Sequence, residues 1–121
     1  MPITADVIKL DTESYIDTVK VNNDVVIVGG PCINKLAAEV LDKTYPACGA
    51  TSGIPENAGL IKLVADKFAT GKTALLIAGW EWDDTDLAAR IVQTGFPGAT
   101  TTQKAASELT VTGTVASPSY S

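Results

Sequence analysis

The sequence predicts an α/β domain with a mainly parallel central sheet, flanking helices, Rossmann-like βα units and a C-terminal β-strand. Three observations carry that expectation. Val25-Val26-Ile27-Val28 is an unbroken β-branched run closed by Gly29-Gly30-Pro31, and Thr73-Ala74-Leu75-Leu76-Ile77-Ala78 is a second apolar run closed by Gly79. Runs of this kind suit strands buried on both faces, as parallel strands are. After each run, apolar residues recur at helical spacing, the pattern of a βα unit. The third observation is bulk composition: 121 residues with 45% hydrophobic and 19% charged side chains can bury one globular core, which a disordered chain could not.

Taken in order, the elements are as follows. Ala5 to Asp11 reads as a short strand over residues 6–10. Asp11-Thr12-Glu13-Ser14 is a polar turn, Tyr15 to Val21 is ambiguous, and Asn22-Asn23-Asp24 is a second turn. The strand over 25–29 leads into a helix over 34–43, where Ile33, Leu36, Ala37, Val40 and Leu41 share a stripe. Tyr45 to Asn57 is a long loop holding Pro46, Gly49, Gly53 and Pro55, and a loop of that length usually needs a tether. Leu60, Ile61, Val64, Ala65 and Phe68 return to helical spacing and predict a helix over 57–69, ended by Thr70-Gly71. The strand over 73–78 follows, then a Trp80-Glu81-Trp82 loop and a helix over 84–94 whose acidic first turn complements the helix dipole. Residues 1–98 form the α/β core by this reading, and 99–107 is a threonine-rich linker. Residues 108–121 add an alternating strand over 108–115 and a tail from Pro118 that should fray.

Composition closes off several function classes. The net charge of −5 disfavours nucleic acid and anionic lipid as partners. The chain has no histidine, which removes Ser-His-Asp and Cys-His triads and His-bearing zinc sites. No run is long enough to span a bilayer, so membrane insertion is not expected. Met1 to Asp6 lacks the basic start and apolar centre of a signal peptide, so an extracellular protein would here be a mature fragment or an excised domain.

Four groups of residues invite a chemical reading. Cys32 and Cys48 are either two buried thiols or a disulfide; a bridge would close a loop of roughly 15 residues, worth about 3 kcal/mol, and would place the protein outside the reducing cytosol. Gly29, Gly30 and Pro31 could cradle a phosphate at the next helix, but Pro31 removes a donor and the dinucleotide fingerprint is incomplete, so a tight structural turn is expected. Glu81, Asp83, Asp84 and Asp86 could gather a hard cation such as calcium at a strand's carboxyl end; helix capping and a solvated loop are the plainer account. Trp80 and Trp82 flank Glu81, so on an extended segment both indoles point the same way, either as an interaction surface or as cover for the core. Gly71-Lys72-Thr73 mimics the end of a P-loop but precedes a strand, and the match is accidental.

Four ordered blocks within residues 5–93 resemble the C-terminal α/β domain of archaeal S-layer and related surface proteins. They are Ala5 to Glu13, the Val25-Val26-Ile27-Val28-Gly29-Gly30-Pro31-Cys32-Ile33-Asn34-Lys35-Leu36-Ala37 stretch, Gly59 to Leu63, and Gly71 to Trp80 with Asp84 to Arg90 after it. The resemblance implies that Cys32 and Cys48 are bridged. It also implies a structural module of a surface layer or filament that self-associates as a homo-oligomer or binds other surface-protein domains, without catalysis or cofactor. One departure stands out: Asp86 occupies the place where the family commonly looks to carry an arginine. Bacterial cell-wall-binding repeats are similar at greater distance, which keeps a carbohydrate-binding module as an alternative. A nucleotide- or magnesium-dependent Rossmann-like enzyme is the other, and it would need a ligand at Gly29-Gly30 or at residues 81–86.

Overall fold

The structure is a computed structural model that describes residues 16–121. Its elements are α1 (Ile16–Asn22), β1 (Val25–Val28), α2 (Lys35–Val40), a 3-10 turn (Gly49–Ser52), β2 (Gly59–Ala65), β3 (Thr73–Gly79), α3 (Trp82–Gln93), α4 (Thr101–Ala105), β4 (Glu108–Gly113) and β5 (Pro118–Tyr120). The strand expected over 6–10 lies outside the described residues.

The strands form one sheet in the order β1-β3-β2-β4-β5. β1 and β3 run parallel, with Val25 opposite Ala74 and Val28 opposite Ile77. The other pairings, β2 with β3, β2 with β4 and β4 with β5, are antiparallel. This corrects the expectation of a mainly parallel, Rossmann-like sheet: the described sheet is mixed, with one parallel pair and short helices.

The cause of the error is local. The segment expected to be a helix over 57–69 is strand β2 and the turn after it. β2 is central, so it is covered on both faces. Leu60 and Val64 pack with Ile27, Leu36, Val40 and Leu76 beneath α2, while Ile61 packs with Ile77, Leu109 and Val111 beneath α3. A two-faced strand produces a continuous apolar run, and such a run satisfies helical spacing by accident. After β2, Asp66 takes a positive φ of 60° and its carboxylate accepts the Gly71 N–H at 2.7 Å. That closes the hairpin into β3, and Gly71-Lys72-Thr73 is simply its last turn.

Both faces therefore carry a core. On one, Leu36, Ala37 and Val40 of α2 are buried with Ile27, Ile54, Ala74 and Leu76. On the other, Ala88 and Ile91 of α3 are fully buried against the sheet. Among the described residues, no helix is long and apolar enough to cross a membrane.

The C-terminal part is more ordered than the sequence suggests. Thr100 opens α4 with a reciprocal cap: its hydroxyl accepts the Gln103 N–H at 3.1 Å, and the Gln103 amide oxygen accepts the Thr100 N–H at 2.9 Å. The tail expected to fray from Pro118 instead adds β5 to β4, and Ser121 exchanges two backbone bonds of 2.9 Å with Thr110. Tyr120 pins it, its hydroxyl donating to the Pro97 carbonyl at 2.7 Å.

Partial burial raises the Tyr120 phenol above its ordinary value of 10.0. The folded state thus favours the neutral phenol, and the unfolded chain ionises first. The associated stability is complete below pH 10 and is lost as pH rises through the folded value. Tyr120→Phe is expected to be less stable by about 1 kcal/mol at neutral pH, because the hydrogen bond goes. Urea titrations should show that gap closing above pH 10 as the parent chain weakens; a pH-independent gap would contradict the account.

Candidate functional site

Because β1 and β3 are parallel, their carboxyl ends emerge side by side, and every candidate residue gathers at that end of the sheet. Gly29 turns the chain with a φ of 128°, a region that side-chain-bearing residues rarely adopt. Its N–H donates to the Ile77 carbonyl at 2.9 Å. A side chain on Gly30 would press against the Gly79 carbonyl, 3.1 Å from the Cβ position. Pro31 is fully buried, and its carbonyl accepts the Ala47 N–H at 3.0 Å.

The start of α2 has its donors occupied from within. The Asn34 side-chain oxygen accepts from the Leu36 and Ala37 N–H groups at 2.9 and 3.2 Å, and the Ile33 and Asn34 N–H groups donate to the Gly30 carbonyl. Gly29, Gly30 and Pro31 therefore form a self-satisfied turn.

Cys32 and Cys48 are bonded, with their Cα atoms 4.5 Å apart across a sequence separation of 16. The bond ties the long loop to the head of α2. Beyond Cys48, the buried Ser52 hydroxyl donates to the Gly49 carbonyl at 2.7 Å and accepts the Ile54 N–H at 3.1 Å. That places Ile54 in the core. Trp80 is partly buried against the same cluster, and its backbone N–H donates to the Ala58 carbonyl at 3.0 Å. A tethered, packed loop under an indole is thus the frame of this end of the molecule.

Two further glycines, which the sequence reading did not single out as a pair, seat α3. Gly59 and Gly79 lie opposite each other in the β2–β3 ladder. A Cβ on Gly79 would stand 2.3 Å from the Thr85 nitrogen and 2.6 Å from the Asp84 carbonyl carbon; one on Gly59 would stand 2.7 Å from the Asp84 oxygen. The first turn of α3 rests directly on the sheet backbone there. Each glycine ends or begins an apolar run, which was the available signal.

The acidic residues serve the helix start. Glu81 is the N-cap of α3; its N–H donates to the Asp84 carboxylate at 3.1 Å and its carbonyl accepts the Asp84 and Thr85 N–H groups. The Asp83 carboxylate accepts the Asp84 N–H at 3.1 Å, and Asp86 pairs with Arg90 at 2.8 Å. On a helix, Asp83 and Asp86 share a face while Asp84 lies about 100° away from Asp83 around the axis, and Asp84 and Asp86 are each engaged, with the Glu81 N–H and with Arg90. Among the described residues, no group of three or more His, Cys, Asp or Glu side chains is arranged to hold a metal ion.

The helix also separates the tryptophans. It begins at Trp82, two residues earlier than expected, so the alternation of an extended segment does not apply across Glu81. Trp80 covers core, and Trp82 is 81% exposed. A shallow apolar hollow of ≈ 230 Å³ lies toward the opposite end of the sheet, lined by Ile61, Leu63, Leu75, Val92 and Phe96, and it contains none of these residues.

This end of the domain is built for packing and presentation of surface. Its glycines, disulfide and caps are bonded within the chain, and among the described residues Trp82 and Ile33 are the most exposed large apolar side chains, at 81% and 73%. Residues 1–94 match the family model of the S-layer like family, outer domain. No curated protein and no solved structure matches the chain. The match ends with α3, and the sheet is completed by β4, whose Leu109 and Val111 are buried in the second core cluster. With most of its length matched, the chain belongs to the S-layer like family, outer domain, and is a structural module of the cell surface.

Proposed function

We propose that this domain acts outside the cell by association, with copies of itself or with neighbouring surface-protein domains, and performs no catalysis. Family membership over residues 1–94 is the observation that carries the reading. The Cys32–Cys48 bond fits an oxidising, extracellular setting. Trp82 supplies a contact of the kind that dominates interfaces: a large indole, 81% exposed, on the first turn of a helix whose seat on the sheet is rigid.

Negative-stain electron microscopy and light scattering of the purified chain, with and without millimolar calcium, test the proposal. Sheets, tubes or filaments are expected, and a calcium dependence would direct attention to Glu81, Asp83, Asp84 and Asp86. Trp82→Ala is expected to abolish or weaken assembly while leaving the melting temperature unchanged, because the side chain touches little. A chain that stays monomeric in every condition would overturn self-association. The same exposed indole could stack on a sugar, and retention of the monomer on cell-wall polymer, lost in Trp82→Ala, would favour the carbohydrate-binding reading.

A further inference from the structure

The described surface carries a large apolar side chain at one end of the sheet and an apolar hollow toward the other. Trp82, the first residue of α3, is 81% exposed. The hollow of ≈ 230 Å³ lies where α3 stops: the helix ends at Gln93, short of the strand ends beneath it. Leu63 shows the effect. It stands on the central strand β2, opposite Leu75 of β3, yet it is 50% exposed. Together with Leu75, Val92 and Phe96 it lines the hollow, and Lys104 of α4 borders it. An aromatic anchor on one surface and an apolar pocket on another are the two halves of the usual centre of a protein interface.

We propose that Trp82 of one copy docks in this hollow on the next copy, joining domains head to tail. The inference rests on the self-association proposed above and names the two surfaces that carry it. Size selects the indole. An apolar cavity of about 150 Å³ holds benzene, and an indole has half as many ring atoms again, which asks for about 225 Å³. The hollow offers ≈ 230 Å³. Ile33, the next most exposed at 73%, has less than half the side-chain atoms of tryptophan and would leave much of that space unfilled. The hollow of the same domain is out of reach. Helical side chains lean toward the N-terminus, so the indole reaches past the start of α3, while Val92 at the hollow lies about 15 Å along the axis in the other direction.

Charge orients the contact. Glu81, Asp83 and Asp84 flank Trp82, and among the described residues none of the three is in an ion pair. Lys104, beside the hollow, is likewise outside the ion pairs of the described residues. Seating the indole brings the acidic turn toward that ammonium. Opposed charges of this kind set orientation and speed encounter more than they add affinity. Because indole and hollow stand at opposite ends of one domain, each contact leaves a free Trp82 at one end of the pair and a free hollow at the other. The association therefore repeats without closing.

Light scattering on the full chain and on paired variants tests the docking. Trp82→Ala leaves a copy with the hollow alone, and Leu63→Glu leaves one with the indole alone. Each is expected to stay monomeric at concentrations where the parent chain forms a growing series of oligomers. A mixture of the two is expected to form a heterodimer that grows no further, since only one intact contact remains per pair. Lys104→Glu, at an exposed position, takes the place of Leu63→Glu should that variant fail to fold. It sets like charges together and is expected to raise the concentration needed for assembly about tenfold or more, most strongly at low salt. Assembly that survives both Leu63→Glu and Lys104→Glu but not Trp82→Ala would overturn this docking while leaving self-association in place. A mixture that stays monomeric would also overturn it, as would a parent chain that closes as a dimer. A parent chain monomeric at every concentration would overturn both readings.

Discussion

Replacing Cys32 and Cys48 together with serine is expected to lower the unfolding free energy by about 3 kcal/mol, the loop-entropy value for a closed loop of this size. The loss should exceed that of an ordinary surface substitution because the bond organises what lies beyond it. Without the tether, the 3-10 turn is held by the Ser52 and Thr51 hydroxyl bonds to the Gly49 and Cys48 carbonyls. Ile54 and Ala47 would then leave the core, and Trp80 would lose its cover. Fluorescence should report this selectively, because Trp82 is already in water. Urea titration with and without a thiol reductant, followed by tryptophan emission, is the measurement. Equal midpoints in both conditions would show that the bond is dispensable.

Gly79→Ala is expected to destabilise by about 1–3 kcal/mol or more, through overpacking against backbone. The added methyl meets the Thr85 nitrogen and the Asp84 carbonyl carbon, and neither can swing aside as a flexible side chain would. Either α3 lifts from the sheet or the β3 end bends. Gly59→Ala should follow in severity, with a contact of 2.7 Å, and Gly30→Ala should be mildest at 3.1 Å. The three denaturation midpoints should fall in that order. A Gly79→Ala chain within about 0.5 kcal/mol of the parent, the range of a neutral surface change, would mean that α3 does not rest on the sheet as described.

Much of the skeleton was legible because its signals were local. The β-branched run at 25–28 and the apolar run at 73–79 are strands, and the parallel pairing of those two was the part of the expected sheet that the structure contains. What failed was non-local. Leu60, Ile61 and Val64 could be placed only by knowing that both α2 and α3 lie over them, and that information sits elsewhere in the chain. The C-terminal part failed differently: the Thr100–Gln103 cap and the Tyr120–Pro97 bond are single contacts that convert polar sequence into structure. At the candidate site, the cysteine pairing came from family resemblance, and the structure contains the bond. The two tryptophans take different roles because α3 begins at Trp82, which changes the geometry from extended to helical between them: Trp80 covers core and Trp82 is exposed. Nothing in the spacing of Gly59 and Gly79 showed that they would face each other across a hairpin.

The Cys32–Cys48 bond also fixes how far the domain can give when it is pulled. The residues between the two cysteines are excluded from extension, since a covalent bond outlasts every hydrogen bond in the sheet. With a separation of 16 residues, a stretched domain falls short of its unbridged length by about 50 Å. The bond is thus a stop on elongation.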